Sequence, residues 1–129
     1  MKHFYENYKL ANLLTILFLS LMIVGSSLKG TSIPRSYIFT LDKLIHIVEY
    51  FIFGILLYFS FTHVTIYSIF LTLILGTLYS LIDELYQSTV YGRNSSGLDI
   101  VADVIGLFLS VFFVRLYCNS IRNDKKNKY

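Results

Sequence analysis

VTIYSIFLTLILGTLYSLIDELY, residues 64–86, carries no charge until Asp83 and Glu84. A helix of about 20 apolar residues, rising about 1.5 Å each, crosses the hydrocarbon core of a bilayer. This stretch is long enough, and it ends in two adjacent acids. Three others resemble it. Leu10–Leu28 (LANLLTILFLSLMIVGSSL) is free of charge. Leu41–Phe61 holds Asp42, Lys43, His46 and Glu49 in its first turns and is otherwise apolar. Leu98–Cys118 opens with Asp99 and Asp103. The expected fold is all-α: a polytopic membrane protein, a bundle of about four transmembrane helices in a single domain over residues 1–129.

Composition agrees. The chain has 129 residues, 55% of them hydrophobic, with eleven Tyr, eleven Phe and no Trp. That is too apolar for a soluble domain of this size. The net charge of +3 comes from basic residues split between the chain ends and a few loops. No basic patch on a polar surface is left for nucleic acid. Cys118 is the single cysteine, so no intrachain disulfide can form. Lys2 and Lys9 precede the first span, and Gly25-Ser26-Ser27 near its end are small, as in a cleaved leader. The apolar run is longer than a leader core and no A-x-A pattern follows, so it is read as a retained span.

The link Thr62-His63 is short enough to make the second and third spans a tight antiparallel hairpin. Residues 88–97 are rich in Gly, Ser and Asn, as a turn should be. The segment after Arg115 is polar and basic, and residues 119–129 are expected to form a fraying tail. With four spans both termini share a side. That side holds Lys2, Lys9, Arg115, Arg122, Lys125, Lys126 and Lys128, against Lys29, Arg35, Lys43 and Arg93 on the other. The bias predicts cytoplasmic termini.

Six of the eight acidic residues, Asp42, Glu49, Asp83, Glu84, Asp99 and Asp103, lie in or at the lip of these spans. Intramembrane carboxylates are costly and usually face a protein interior or a watery cavity. In an up-down bundle, the start of the second span, the end of the third and the start of the fourth share one membrane side. Within each span the polar residues share a face: His46, Glu49 and Tyr50; Asp83 or Glu84 with Gln87; Asp99 with Asp103. Adjacent Asp83 and Glu84 point about 100° apart, so one is expected to face the centre. Gly54, Gly76 and Gly106 lie one to two turns deeper and are read as a packed floor. The expectation is one polar pocket, open to the outside, built from several helices.

Asp42-Lys43-Leu44-Ile45-His46 with Tyr50, then Asp83-Glu84-Leu85-Tyr86-Gln87, then Gly92-Arg93 followed by Asp99 and Asp103, resembles the VanZ-like family of small polytopic membrane proteins. The resemblance is strongest over residues 41–110. One departure is Asp103, where the family often has Asn. The resemblance implies a bacterial cytoplasmic-membrane protein and, through the family's founding member, a link to resistance to the glycopeptide teicoplanin. It implies no agreed reaction.

Three functional readings follow. In the first, the pocket binds the headgroup of a membrane lipid or a lipid-linked envelope precursor, and so alters access of a glycopeptide to its target. Asp42, Lys43, Tyr50, Asp83, Gln87, Arg93, Asp99 and Asp103 are the candidate ligand-binding residues. Arginine's planar fork suits a phosphate, or else a salt bridge to Asp99 or Asp103. In the second, the protein is a membrane-embedded hydrolase or transferase on a lipid-linked substrate. His46 with Glu49 or Glu84 would then supply acid–base chemistry, and Arg93 would stabilise a developing anion. In the third, the polar cluster only joins helices or serves a partner. Glu84 is expected to pair with His46 or Arg93, and Asp83 and Gln87 to orient neighbours. Asp99 is a candidate N-cap of the fourth helix. Clustered carboxylates make a divalent cation conceivable, and Asp103 could take a proton, pair with Arg93 or help hold one. But no established metal spacing is present and Lys43 and Arg93 are expected to compensate the acids, so the expectation is neither metal nor cofactor. His3 and His63 read as solvent or headgroup histidines. Nothing in the sequence sets an oligomeric state.

Overall fold

The computed structural model describes residues 8–28, 35–61, 65–93 and 95–126. They form four helices: α1 (Tyr8–Ser27), α2 (Arg35–Ser60), α3 (Ile66–Thr89) and α4 (Gly97–Lys126). All four contain a stretch long and apolar enough to cross a membrane, and no strand occurs among the described residues. The all-α transmembrane bundle expected from the sequence is what the chain forms. The short 62–63 link, His3 and His63 lie outside the described residues.

Two helices run further than the apolar pattern suggested. α2 begins at Arg35, ahead of the apolar run at Leu41. No Gly or Pro interrupts residues 35–41, so the helix has no local reason to stop at the hydrocarbon edge. α4 continues through the basic segment to Lys126, where fraying from about residue 119 was expected. Lys and Arg are good helix formers and are favoured at a helix C-terminus, where the peptide dipole is negative.

The burial pattern is inverted relative to a soluble bundle. Leu85, at 69% exposed, is typical of the outer surface, where Ile16, Leu21, Ile82 and Phe112 also point outward. Small and polar residues face inward. The buried stripe of α3 is Ser68, Thr72, Gly76, Ser80, Asp83, Glu84 and Gln87. Lipid is as apolar as leucine, so little hydrophobic force drives these helices together. Close packing and interhelical hydrogen bonds do instead.

The most extensive packing is between α2 and α4, with α1 laid on α2 and α3 on α4. At the seam, a Cβ on Gly106 would lie 2.4 Å from the Ile47 carbonyl oxygen and 3.0 Å from the Phe51 nitrogen. The α2 backbone therefore passes directly over Gly106. Gly76 makes room for Leu107 and Gly54 for Ser110. All three glycines thus sit at close helix–helix contacts. A small apolar core of Met22, Tyr50, Phe53 and Leu107 sits at this level. The ring of Tyr79 leans on Phe53 and Tyr50, with centroids 5.4 and 6.3 Å apart.

Candidate functional site

The helix ends above that core hold two polar clusters. The first lies between α2, α3 and α4. His46 Nδ1 is 2.8 Å from Asp103 Oδ1, and Ser80 Oγ donates to Asp103 Oδ2 at 2.6 Å. His46 and Asp103 are 4% and 1% exposed. With Asp103 accepting at Nδ1, the imidazole's Nε2 is left without a hydrogen bond among the described residues. It stands 4.0 Å from Asp99 Oδ1. The ammonium of Lys43 bonds Asp99 and, at 3.3 Å, Asp42. Asp42 and Lys43 form the more exposed rim of the cluster, while Asp99 is buried.

The second cluster joins α1 to α3. Ser26 Oγ donates to Asp83 Oδ1 at 2.6 Å, and Gln87 Nε2 donates to Asp83 Oδ2 at 3.0 Å. Beside it, Val90–Arg93 forms a turn closed by the Arg93 amide on the Val90 carbonyl at 3.2 Å. Its third residue, Gly92, has φ +81°, the left-handed region that a side chain would strain. This turn sends the Arg93 guanidinium back to the end of α1. There Nη2 donates to Gly25 O at 2.6 Å and Nε to Leu28 O at 3.3 Å. Both carbonyls lie at the C-terminal end of α1, where few have helical partners; Gly25 O also accepts the Leu28 amide at 3.2 Å.

Glu84 ties α3 to the turn that starts α4. One of its oxygens accepts the Ser96 amide; the other, Oε2, is buried without a partner among the described residues. Ser96 Oγ accepts from the Leu98 amide at 3.1 Å, so Ser96 caps α4. The Tyr50 and Tyr79 hydroxyls are also buried with no hydrogen bond among the described residues.

Several expected pairings are therefore replaced. His46 takes Asp103 rather than Glu49 or Glu84, because α2 and α4 meet most closely one turn deeper, at Gly106. Glu49 is half-buried and makes no side-chain hydrogen bond among the described residues. Arg93 reaches α1 carbonyls rather than Asp99 or Asp103, because the Gly92 turn aims it the other way. Asp99 meets Lys43 and leaves the cap to Ser96. Asp83 and Glu84 are both buried, each in a different seam, so neither alone faces a centre. Gln87 does hold a neighbouring acid. Tyr50 is wholly buried against Phe53 and Tyr79.

Sequence reasoning missed Ser26, Ser80 and Tyr79. A signal for Ser80 was present: Ser68, Thr72, Gly76, Ser80 and Glu84 recur every four residues, tracing one face of an otherwise apolar helix. Ser26 lies in the small-residue run that had been weighed as part of a leader.

The arrangement holds one imidazole by a carboxylate, next to a lysine and a second carboxylate, at one end of the closely packed α2–α4 seam. Comparison with curated proteins and with solved structures gives no match. The VanZ/LLP1 family model matches residues 2–118, nearly the whole chain, including every residue of both clusters. The protein is a multi-pass membrane protein, and with that match it belongs to the VanZ/LLP1 family.

Proposed function

We propose that the Lys43–His46–Asp99–Asp103 cluster receives the headgroup of a membrane lipid or lipid-linked envelope molecule. The observation that carries this reading is the set of polar groups at the rim and just beneath it. Lys43 supplies a positive charge at a partly open edge, and His46 Nε2 lies just beneath with no hydrogen bond among the described residues. An ammonium and an imidazole suit the phosphate or amide groups of such a headgroup. The large exposed apolar surface around the helices gives an acyl chain a place to lie beside its headgroup. Arg93 has no direct part in this reading, since its guanidinium already serves α1. The basic bias of the chain ends orients the cluster to the outer face of a bacterial cytoplasmic membrane. Headgroup capture there would alter the access of a glycopeptide such as teicoplanin to its target.

The test uses the purified chain in nanodiscs of native lipid. Native mass spectrometry should show a retained lipid that is lost in Lys43→Met and in His46→Ala, while both variants remain helical and monodisperse. The same variants should lose any protection against teicoplanin in cells that still accumulate the protein. Equal lipid retention in all three proteins would refute the reading.

A membrane-embedded hydrolase or transferase is the second reading, and the Asp103–His46 pair favours it. A carboxylate on Nδ1 fixes the tautomer that leaves Nε2 as a base, as in acid–base dyads elsewhere. Turnover separates the two. Conversion of lipid-linked substrate, lost in His46→Ala, supports the enzyme; stoichiometric retention without product supports binding alone.

A further inference from the structure

The expectation of no metal rested on Lys43 and Arg93 compensating the acids. Among the described residues, Arg93 makes no ion pair with those acids. The Arg93 guanidinium bonds the carbonyls of Gly25 and Leu28. Among the described residues, Lys43 is the one lysine or arginine seen in an ion pair with the acids. Buried carboxylates without counter-charge are strongly disfavoured within a membrane.

Three of the side chains converge. Asp42, His46 and Asp99 each present one ligand atom, and these atoms lie within 4.8 Å of one another. The histidine is prepared as metal-binding histidines are. Its Nδ1 is held by Asp103, which is itself held by Ser80, and that leaves Nε2 turned toward Asp99. A carboxylate behind the ring fixes the tautomer and raises ligand basicity. His46 is more than nine-tenths buried, and this nitrogen has no hydrogen bond among the described residues.

We propose that Asp42, His46 and Asp99 bind one divalent transition-metal ion, in exchange with the ammonium of Lys43. One imidazole and two carboxylates suit Zn²⁺ or Mn²⁺ better than Mg²⁺ or a thiolate-seeking ion. Lys43 and the metal compete for Asp42 and Asp99. When the ion binds, the lysine is released to the rim. The site stands whether or not a headgroup binds there.

The experiment uses the full chain in detergent, stripped with a chelator and then titrated with Zn²⁺ and, separately, with Mn²⁺. Metal content is read by mass spectrometry after desalting, and folding by helical circular dichroism and size exclusion. One ion per chain is expected. It should be lost in His46→Gln and Asp99→Asn, and weakened at least about tenfold in Asp42→Asn, whose rim position spares the fold. The distinguishing variant is Lys43→Met, which should bind at least about tenfold more tightly because the competing charge is gone. Absence of metal from both the native chain and Lys43→Met overturns the proposal. So does binding that survives His46→Gln, which would belong to His3 or His63, or binding that Lys43→Met leaves unchanged. A native chain that binds the metal but retains no lipid, or retains it equally in Lys43→Met, would refute only the headgroup reading.

Discussion

Gly106→Ala is the substitution that tests whether the fold and the site share one seam. The new methyl would lie 2.4 Å from the Ile47 carbonyl oxygen, 3.0 Å from the Phe51 nitrogen and 3.1 Å from Tyr50 Cβ. Real Cβ atoms essentially never come within 3.0 Å of such neighbours, so α2 and α4 must part by at least about 0.6 Å. Two of the three obstacles are backbone and cannot rotate away. Overpacking of this kind costs about 1–3 kcal/mol, and alanine's better helix propensity returns at most about 1 kcal/mol. From the middle of the overpacking range, about 2 kcal/mol, less at most about 1, the net loss should be about 1–2 kcal/mol. His46 and Asp103 lie one turn above. The same separation stretches their 2.8 Å contact beyond the usual N···O range, which ends at about 3.2 Å. Gly25→Ala is the control, since nothing lies within 4 Å of its Cβ. Thermal unfolding in one detergent, followed by size exclusion, should rank Gly25→Ala with the native chain and Gly106→Ala well below it. The imidazole resonances of His46 should shift only in the latter. If Gly106→Ala melts with the control, the backbone crossing at this seam is not as described.

Three further outcomes follow from the hydrogen bonds. Arg93→Ala should free the end of α1, costing about 1.5–3 kcal/mol for charge-assisted bonds to carbonyls, with faster hydrogen exchange at residues 25–28; Arg93→Lys should recover only part, because one ammonium cannot copy the two-point contact. Ser26→Ala should lower stability by about 1–3 kcal/mol, because a buried oxygen of Asp83 loses its donor; chemical denaturation in mixed micelles reads this directly. Asp103→Asn should stay within about 1 kcal/mol of the native chain, since its amide oxygen can still accept from His46 and its NH₂ can donate to Ser80, whereas Asp103→Ala leaves two buried groups unpaired and should cost several times more by the same measurement.

The helices were legible because lipid imposes a simple rule on sequence. Long uncharged runs become spans, and the four expected spans agree with α1 to α4 to within a few residues except where basic or neutral residues carry a helix beyond the apolar zone. The gathering of acids at one end was also legible, because up-down topology and helical spacing fix which residues share an end and a face. The partners were not. Whether His46 meets Glu49, Glu84 or Asp103 depends on which helices touch at that height, and that is set by glycines whose contacts lie across the bundle. The reach of Arg93 depends on a single left-handed residue, Gly92. Sequence shows that a turn is there but not where it aims the next side chain.

The same hydrogen bonds that present His46 also hold the bundle, and this shapes how any variant must be read. In a soluble protein the core is apolar and a polar site can be emptied with modest structural effect. Here the buried face of α3 is built from Ser, Thr, Gly, Asp, Glu and Gln, that of α4 mixes Asp99, Asp103 and Ser110 with Ala102, Leu107, Val111 and Val114, and lipid offers little hydrophobic reason for the helices to stay together. Removing Asp83 or Ser80 therefore weakens both structure and site, and lost activity alone would not separate them. Lys43 and Asp42 are different. They lie at the rim, pair with each other and with Asp99, and bridge to no third helix by the hydrogen bonds described. A substitution there changes the charge seen by an approaching ligand and leaves the His46–Asp103–Ser80 and Ser26–Asp83–Gln87 connections in place. A strong functional effect of Lys43→Met with unchanged melting would thus assign the cluster a role beyond joining helices. Silence at Lys43 together with collapse at Asp103 would reduce it to structural glue.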